Sequence, residues 1–244
     1  MKQPIFYTAG DSPALLHARN LLQSWGYDMS PIPNEHVTHL LLPVPSFAEP
    51  GVIKGGRKLR DILKDLPENL TIFGGKLGTL PYRTVDFLED EYYLAENAAI
   101  TAHCALKRII GQYDGILQHT PVLVIGWGRI GKHLAAMMRS LGADVTVAAR
   151  KEADRYALKR QQYNSVEPGK WELKRYAIII NTAPASVMSQ EQARKDALLM
   201  DLASVRGIAG DRVDWALALP GKDAPAVSGT LIAKTALRYA LGKE

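Results

Sequence analysis

The sequence predicts an α/β protein: a C-terminal Rossmann dinucleotide-binding domain preceded by a smaller, flavodoxin-like parallel α/β domain. Three observations predict it. Residues 121–150, PVLVIGWGRIGKHLAAMMRSLGADVTVAAR, read as strand, glycine turn, helix and second strand, the unit that binds a dinucleotide. Short apolar strands alternate with helical patterns on both sides of that stretch, the rhythm of a parallel sheet. Most of those strands end in Gly, Pro or a small polar residue, and ligands of open parallel sheets lie beyond such ends.

The turn Gly126-Trp127-Gly128-Arg129-Ile130-Gly131 has a physical reason for each glycine. Gly126 permits a tight turn out of the strand, Gly128 leaves the backbone open to a pyrophosphate, and Gly131 lets the helix pack on the strand. The N–H groups and positive dipole end of that helix then face the phosphates. Arg129 either reaches a phosphate or is a solvated turn residue. The second strand ends in Arg150-Lys151, with no acid before Glu152. NAD-binding units place Asp or Glu there to hold the ribose hydroxyls; an arginine suits a 2′-phosphate, so NADP(H) is expected over NAD(H). The alternative is an ordinary solvated basic pair.

In chain order, Ile5 to Thr8 is a strand ending in Ala9-Gly10-Asp11. Ser12 caps a helix from Pro13 to about Trp25, and Gly26 stops it. His39 to Leu42 is a buried strand ending in Pro43-Val44-Pro45-Ser46. A helix is expected from Arg57 to Leu66, then a strand from Leu70 to Phe73 ending at Gly74-Gly75-Lys76. Phe87 to Glu91, with Tyr92 and Tyr93, reads as an acidic, aromatic connector. A helix follows from Asn97 to about Tyr113. After the glycine unit come a charged helix from Glu152 to Tyr163 and strands at Tyr176 to Ile180, Ala197 to Met200 and Trp215 to Leu219. A last amphipathic helix runs from about Ser228 to Leu241. The expected division is residues 1–96, completed by 228–244, as a substrate or partner domain, and 97–227 as the NADP-binding domain.

With 244 residues and a formal charge of +5, the chain has room for two modest cores and carries its basic residues dispersed. There is no Lys/Arg run interleaved with aromatics, so nucleic acid is not an expected partner. The single cysteine, Cys104, excludes an intramolecular disulfide and fits a reducing cytoplasm. No run approaches membrane-spanning length and the N-terminus lacks a signal-peptide pattern, so a soluble cytoplasmic protein is expected. No metal-ligand spacing and no nucleophile elbow is present.

The strand ends select the candidate site residues. Thr182, Ala183, Pro184, Ala203 and Ser204 are expected beside the cofactor. Gly10, Asp11, Pro43, Val44, Gly74, Gly75, Lys76 and Lys222 are expected to receive the substrate, or else to be plain strand-to-helix turns. Lys76, Lys222 and Arg206 are each either a cation that holds a carboxylate or a solvated side chain. For catalysis the candidates are His103 and Asp201. His103 is a proton donor or a partly buried helix histidine; Asp201 orients a base or caps the next turn.

The segments LPV at 42–44, NAAITA at 97–102, VLVIGWGRIGKHLA at 122–135, LGADVTVAAR at 141–150, INTAP at 180–184, MDLAS at 200–204 and LPGKDAPAVSG at 219–229 carry a resemblance. In order and spacing the chain resembles the A subunits of dipicolinate synthase, relatives of the D-2-hydroxyacid dehydrogenases, over most of its length. The resemblance implies oxidation of a dihydrodipicolinate-type ring to dipicolinate with NADP+ during sporulation, alongside a B subunit that is flavoprotein-like. We also expect a homo-oligomer, and a dicarboxylate substrate whose carboxylates meet Lys76, Lys222 and the Gly74-Gly75 turn. The chain departs from the family in a shorter N-terminal half and in two motifs. Where the family reads Pro-Thr-x-Glu-Gly, this chain reads Ile100-Thr101-Ala102-His103-Cys104, so Thr101 is kept, which the resemblance adds as a catalytic candidate, and the acid is His103. The Gly-Gly-x-Asp expected after DLAS is Gly207-Ile208-Ala209-Gly210-Asp211. Two other readings stay open: a dehydrogenase for another 2-hydroxy or 2-keto acid, and a non-catalytic NADP-binding sensor or scaffold.

Overall fold

A computed structural model describes residues 3–242. Residues 1, 2, 243 and 244, at the ends of the two segments expected to form the N-terminal domain, lie outside the described residues. In chain order the elements are β1 (Ile5–Thr8), α1 (Pro13–Ser24), β2 (Asp28–Met29), β3 (His39–Leu41), the hairpin β4 (Phe47–Glu49) and β5 (Val52–Ile53), α2 (Leu59–Leu63), β6 (Thr71–Gly74), β7 (Arg83–Asp86) and α3 (Glu91–Gln112). There follow β8 (Pro121–Ile125), α4 (Arg129–Ser140), β9 (Asp144–Ala148), α5 (Glu152–Arg160), β10 (Asn164–Val166), β11 (Ile178–Asn181), β12 (Met188–Ser189), β13 (Leu198–Asp201), β14 (Ile208–Ala209), β15 (Asp214–Trp215), α6 (Leu219–Asp223) and α7 (Pro225–Ala240). Two compact units result. The first comprises residues up to Asn97 and from Pro220 onward, the second Ala98–Leu219, so the boundary falls inside α3.

The first unit is built on a parallel five-stranded sheet, β2-β1-β3-β6-β7. Counted along its own strands this is 2-1-3-4-5, the order of a flavodoxin-like sheet, the fold class the sequence predicts. The central strands are continuous apolar runs because both of their faces are covered: Phe6, Leu40, Leu41, Ile72 and Phe73 are at most 1% exposed. Phe6, His39, Phe73, Phe87 and Tyr93 form one row of rings with successive centroids 5.2, 5.2, 5.8 and 5.5 Å apart. Ser12 Oγ accepts the Leu15 N–H at the start of α1, a cap contributing about 1 kcal/mol. The small residues Ala14 and Ala18 of α1 and Ala233 and Ala236 of α7 are all buried, and these two helices pack on each other.

The second unit is a parallel six-stranded sheet, β10-β9-β8-β11-β13-β15. Counted along its strands the order is 3-2-1-4-5-6, the doubly wound order of a Rossmann unit. Val122, Leu123 and Val124 of β8 and Ile178, Ile179 and Ile180 of β11 are fully buried at its centre. Among the described residues no helix is long and apolar enough to cross a membrane.

Several expected elements change extent for local reasons. The helix expected from Arg57 to Leu66 shrinks to α2, because Arg57 turns back to the hairpin: its carbonyl accepts the Ile53 N–H and its guanidinium donates to the Tyr7 hydroxyl at 2.7 Å. The acidic connector is instead a 3-10 turn and the first turns of α3, capped where Asp90 Oδ1 accepts the Tyr93 N–H at 2.6 Å. The helix expected from Glu152 to Tyr163 stops at Arg160, and Gln162 follows at φ 60°. The strand expected at Trp215 to Leu219 is two residues long, and Leu219–Asp223 is helical, with Pro220 tolerated in the first turn. Strands β7 and β10 were not expected; both are short, partly polar edge strands without an apolar run.

Candidate functional site

The glycine turn sits where β8 hands over to α4. Gly126 has φ 104°, which a side chain disfavours, and a Cβ there would lie 2.5 Å from Thr182 Oγ1. A Cβ on Gly131 would overlap the Gly126 carbonyl oxygen and come within 3.0 Å of Thr182 Oγ1, so this glycine sets the depth at which α4 docks. Gly131, Leu134, Ala135 and Met138 are the buried face of α4, at helical spacing. Gly128 is the N-cap, is exposed and has open space where its Cβ would be. No side chain caps α4 and its first turn contains no acid, so its N–H groups are presented to an anion. Trp127 packs edge-on to Tyr163, with centroids 5.6 Å apart, and Lys132 Nζ lies 5.9 Å from the indole ring. Arg129 is exposed and Ile130 half-buried.

Arg150 and Lys151 follow β9, and both are exposed. The turn that carries them is fixed by Arg155, whose Nη1 donates to the carbonyls of Ala149 and Arg150, each at 2.8 Å. Glu167 stands 3.8 Å from the other side of that guanidinium. No acid occupies the end of β9, so the local charge suits a phosphate.

Beyond β11, the Thr182 N–H and hydroxyl both donate to the Ile125 carbonyl, at 2.8 and 2.9 Å, tying the INTAP turn to the end of β8. Ala183 is held to the Asn181 side chain by bonds in both directions at 3.0 Å, while Pro184 and Ser204 are exposed. Ala203 is 3% exposed; its N–H donates to Asp201 Oδ1 and its carbonyl accepts from Trp215 Nε1. Its backbone therefore braces the loop.

Two of the three catalytic candidates face apart. Thr101 and His103 lie two residues apart on α3, about 200° around the helix. Thr101 is accordingly buried at 8% exposure, while His103 is exposed, with Nδ1 3.0 Å from the Ala99 carbonyl of its own helix. Asp201 is 0% exposed, and four donors surround its carboxylate: Asn181 Nδ2 and the N–H groups of Ala203, Gly207 and Ile208, at 2.7–3.0 Å. Of the two roles open for Asp201, the geometry matches the cap.

In the first unit, β1, β3 and β6 bring the candidate substrate residues to one sheet edge. Gly10 and Asp11 follow β1, Pro43 and Val44 follow β3, and Gly74, Gly75 and Lys76 end β6. Ser46, fully buried, links two of these ends. Its N–H donates to the Gly75 carbonyl at 2.8 Å; its hydroxyl accepts the Gly75 N–H at 3.0 Å and donates to the Pro43 carbonyl at 2.9 Å. Lys76 is held at φ 56°, a left-handed conformation uncommon for a side-chain-bearing residue. Lys222 lies in α6 and is exposed. Sequence reasoning missed Lys54, which follows β5. Burial, then the ammonium groups of Lys222 and Lys76, hold its pKa below the usual lysine value. Its position depends on the hairpin, which no periodicity announces.

Among the described residues no cluster of His, Cys, Asp or Glu is arranged to hold a metal. A cavity of about 460 Å³ opens at the amino-terminal ends of β11, β13 and β15, away from the glycine turn. Along it Arg194 pairs with Asp196, and Asp214 pairs with Arg108 and accepts a hydrogen bond from Gln112.

No protein-family model matches the sequence. The A subunit of dipicolinate synthase from Bacillus subtilis (strain 168) is 26% identical over 231 residues, covering 83% of this chain and 77% of that protein. The crystal structure of the dipicolinate synthase A subunit from Bacillus halodurans superposes with a TM-score of 0.85 at 20% identity, covering 97% of each chain. A transhydrogenase from Sinorhizobium meliloti shares the fold with a TM-score of 0.71 at 15% identity, over 97% of this chain and 93% of that one. In sequence and in fold, then, the chain is similar to the A subunits of dipicolinate synthase, as its INTAP, DLAS and LPGKDAP segments led us to expect.

Proposed function

We propose that this protein is an NADP-dependent oxidoreductase of the dipicolinate synthase A type, which oxidises a dihydrodipicolinate-type precursor to dipicolinate during sporulation. The observation that carries this reading is the sequence likeness to the A subunit of dipicolinate synthase over 83% of the chain. The residues of the second unit fit the cofactor. The exposed Gly128 backbone and the uncapped start of α4 would hold the pyrophosphate, and Arg150 and Lys151 the 2′-phosphate. The turns at Thr182–Pro184 and Ser204 would flank it. When bound, the nicotinamide supplies the hydride acceptor. Gly10, Asp11, Pro43, Val44, Gly74, Gly75, Lys76 and Lys222 would receive the dicarboxylate in the first unit. We further propose a cytoplasmic homo-oligomer that works with a flavoprotein-like B subunit.

The test is NADPH formation from a dihydrodipicolinate-generating mixture, with the chain alone and with the B subunit present. Turnover with NADP+ is expected; none in either arm overturns the reading. The placement of Thr101 and His103 on opposite faces of α3 favours one second reading, an NADP-binding module without turnover. That reading predicts NADP+ binding in calorimetry with no NADPH formed in either arm.

A further inference from the structure

We propose that Lys54 is a third cationic anchor of the dicarboxylate site in the first unit, and that with Lys76 and Lys222 it selects dianions over monoanions. This inference rests on the substrate class proposed above and adds to it a residue and a source of specificity.

The backbone places Lys54 at the site. In an open parallel sheet the ligand position is where the strand order reverses, here between β1 and β3. Gly10 follows β1 at φ 128°, and a Cβ on it would lie 2.5 Å from Pro43 Cγ and 3.1 Å from the Lys54 carbonyl oxygen. The β4–β5 hairpin thus returns its chain onto the ends of β1 and β3. The Lys54 N–H donates to the Ser46 carbonyl at 3.0 Å, and the same Ser46 holds Gly75, the neighbour of Lys76, by two hydrogen bonds. One buried serine therefore fixes the chain at Lys54 and beside Lys76.

Charge supports the assignment. Lys54 is half-buried, and like charges on Lys76 and Lys222 act on it together. Asp11 packs its carboxylate against Gly55, and Asp86 accepts the N–H of Leu77, the neighbour of Lys76. Three ammonium groups acting on one another favour a ligand that brings two negative charges over one that brings a single charge. A bound dianion would offset the repulsion among the lysines. A monoanion would leave part of it in place.

The experiment is calorimetric titration of the full-length chain, saturated with NADP+, with pyridine-2,6-dicarboxylate and with pyridine-2-carboxylate. Wild type is expected to favour the dicarboxylate by about tenfold or more. Lys54→Met is expected to lose about tenfold in dicarboxylate affinity and little for the monocarboxylate, with NADP+ affinity and melting temperature unchanged. Lys54→Arg should recover most of the loss. If K54M matches wild type, or weakens both ligands equally, the anchor role of Lys54 is overturned while the substrate class stands. If wild type binds no dicarboxylate, both fall.

Discussion

Asn181 Nδ2 donates to Asp201 Oδ1 across 3.0 Å, and both residues are fully buried. They are register partners at the ends of β11 and β13. Asn181 holds Ala183, and Asp201 holds the N–H groups of Ala203, Gly207 and Ile208, so two loops hang from one buried pair. An amide at position 201 has only one acceptor oxygen and would turn its NH2 toward backbone donors. Asp201→Asn should therefore cost about 2–4 kcal/mol of stability in urea denaturation. It should also weaken NADP+ binding, because the loops of Thr182–Pro184 and Ser204 lose their brace. Wild-type stability in this variant would refute the bracing role.

Arg150 is exposed at the end of β9, with no acid beside it to hold a ribose hydroxyl. If it meets the 2′-phosphate, Arg150→Ala should raise the Kd for NADP+ by about 10- to 100-fold and change that for NAD+ by less than about twofold. Parallel fluorescence titrations of the two cofactors read both numbers. Equal affinity of the wild type for NADP+ and NAD+ would count against the assignment.

Arg155 acts on the same turn from behind. Its two bonds at 2.8 Å fix the carbonyls of Ala149 and Arg150, and hence the origin of the Arg150 side chain. Arg155→Met should lower NADP+ affinity by about 3- to 10-fold. Combined with Arg150→Ala, the losses should be less than additive, since a misplaced and an absent guanidinium fail alike. Full additivity in a double-mutant cycle would mean that Arg155 touches the cofactor independently.

The Rossmann unit was legible because its signal is local. The apolar run of β8, the glycine spacing and the face Gly131, Leu134, Ala135 and Met138 lie within a short stretch of chain. The parallel α/β character of the first unit was legible for the same reason in β1, β3 and β6, whose apolar runs follow from burial on both faces. What escaped was set by contacts distant in sequence or by edges. Strands β7 and β10 carry no apolar run to announce them. The cap by Asp90 was hidden in an acidic stretch that looked like a linker. The role of Asp201 depends on Gly207 and Ile208 folding back to it, and that of Lys54 on a hairpin resting against Gly10. Nothing in the spacing of those residues foretells either approach.

His39 sits in the aromatic row, 5.2 Å from the rings of both Phe6 and Phe73, with Nδ1 2.7 Å from Thr38 Oγ1. Burial, reinforced by the charge of Arg83, lowers its pKa from 6.5 to about 4. The unfolded chain therefore takes up this proton before the folded one does. The stability linked to His39 is complete above pH 6.5 and is lost as the pH falls toward 4. Because the ring is only partly shielded from solvent, the loss should amount to about 1–2 kcal/mol rather than the full linkage value. His39→Phe keeps a ring in the row and removes the titration. Urea midpoints at pH 7, 5 and 4 (chosen to bracket the two pKa values) should fall less steeply for the variant than for wild type. Parallel pH profiles would show that His39 takes up its proton as readily in the folded chain as in the unfolded one.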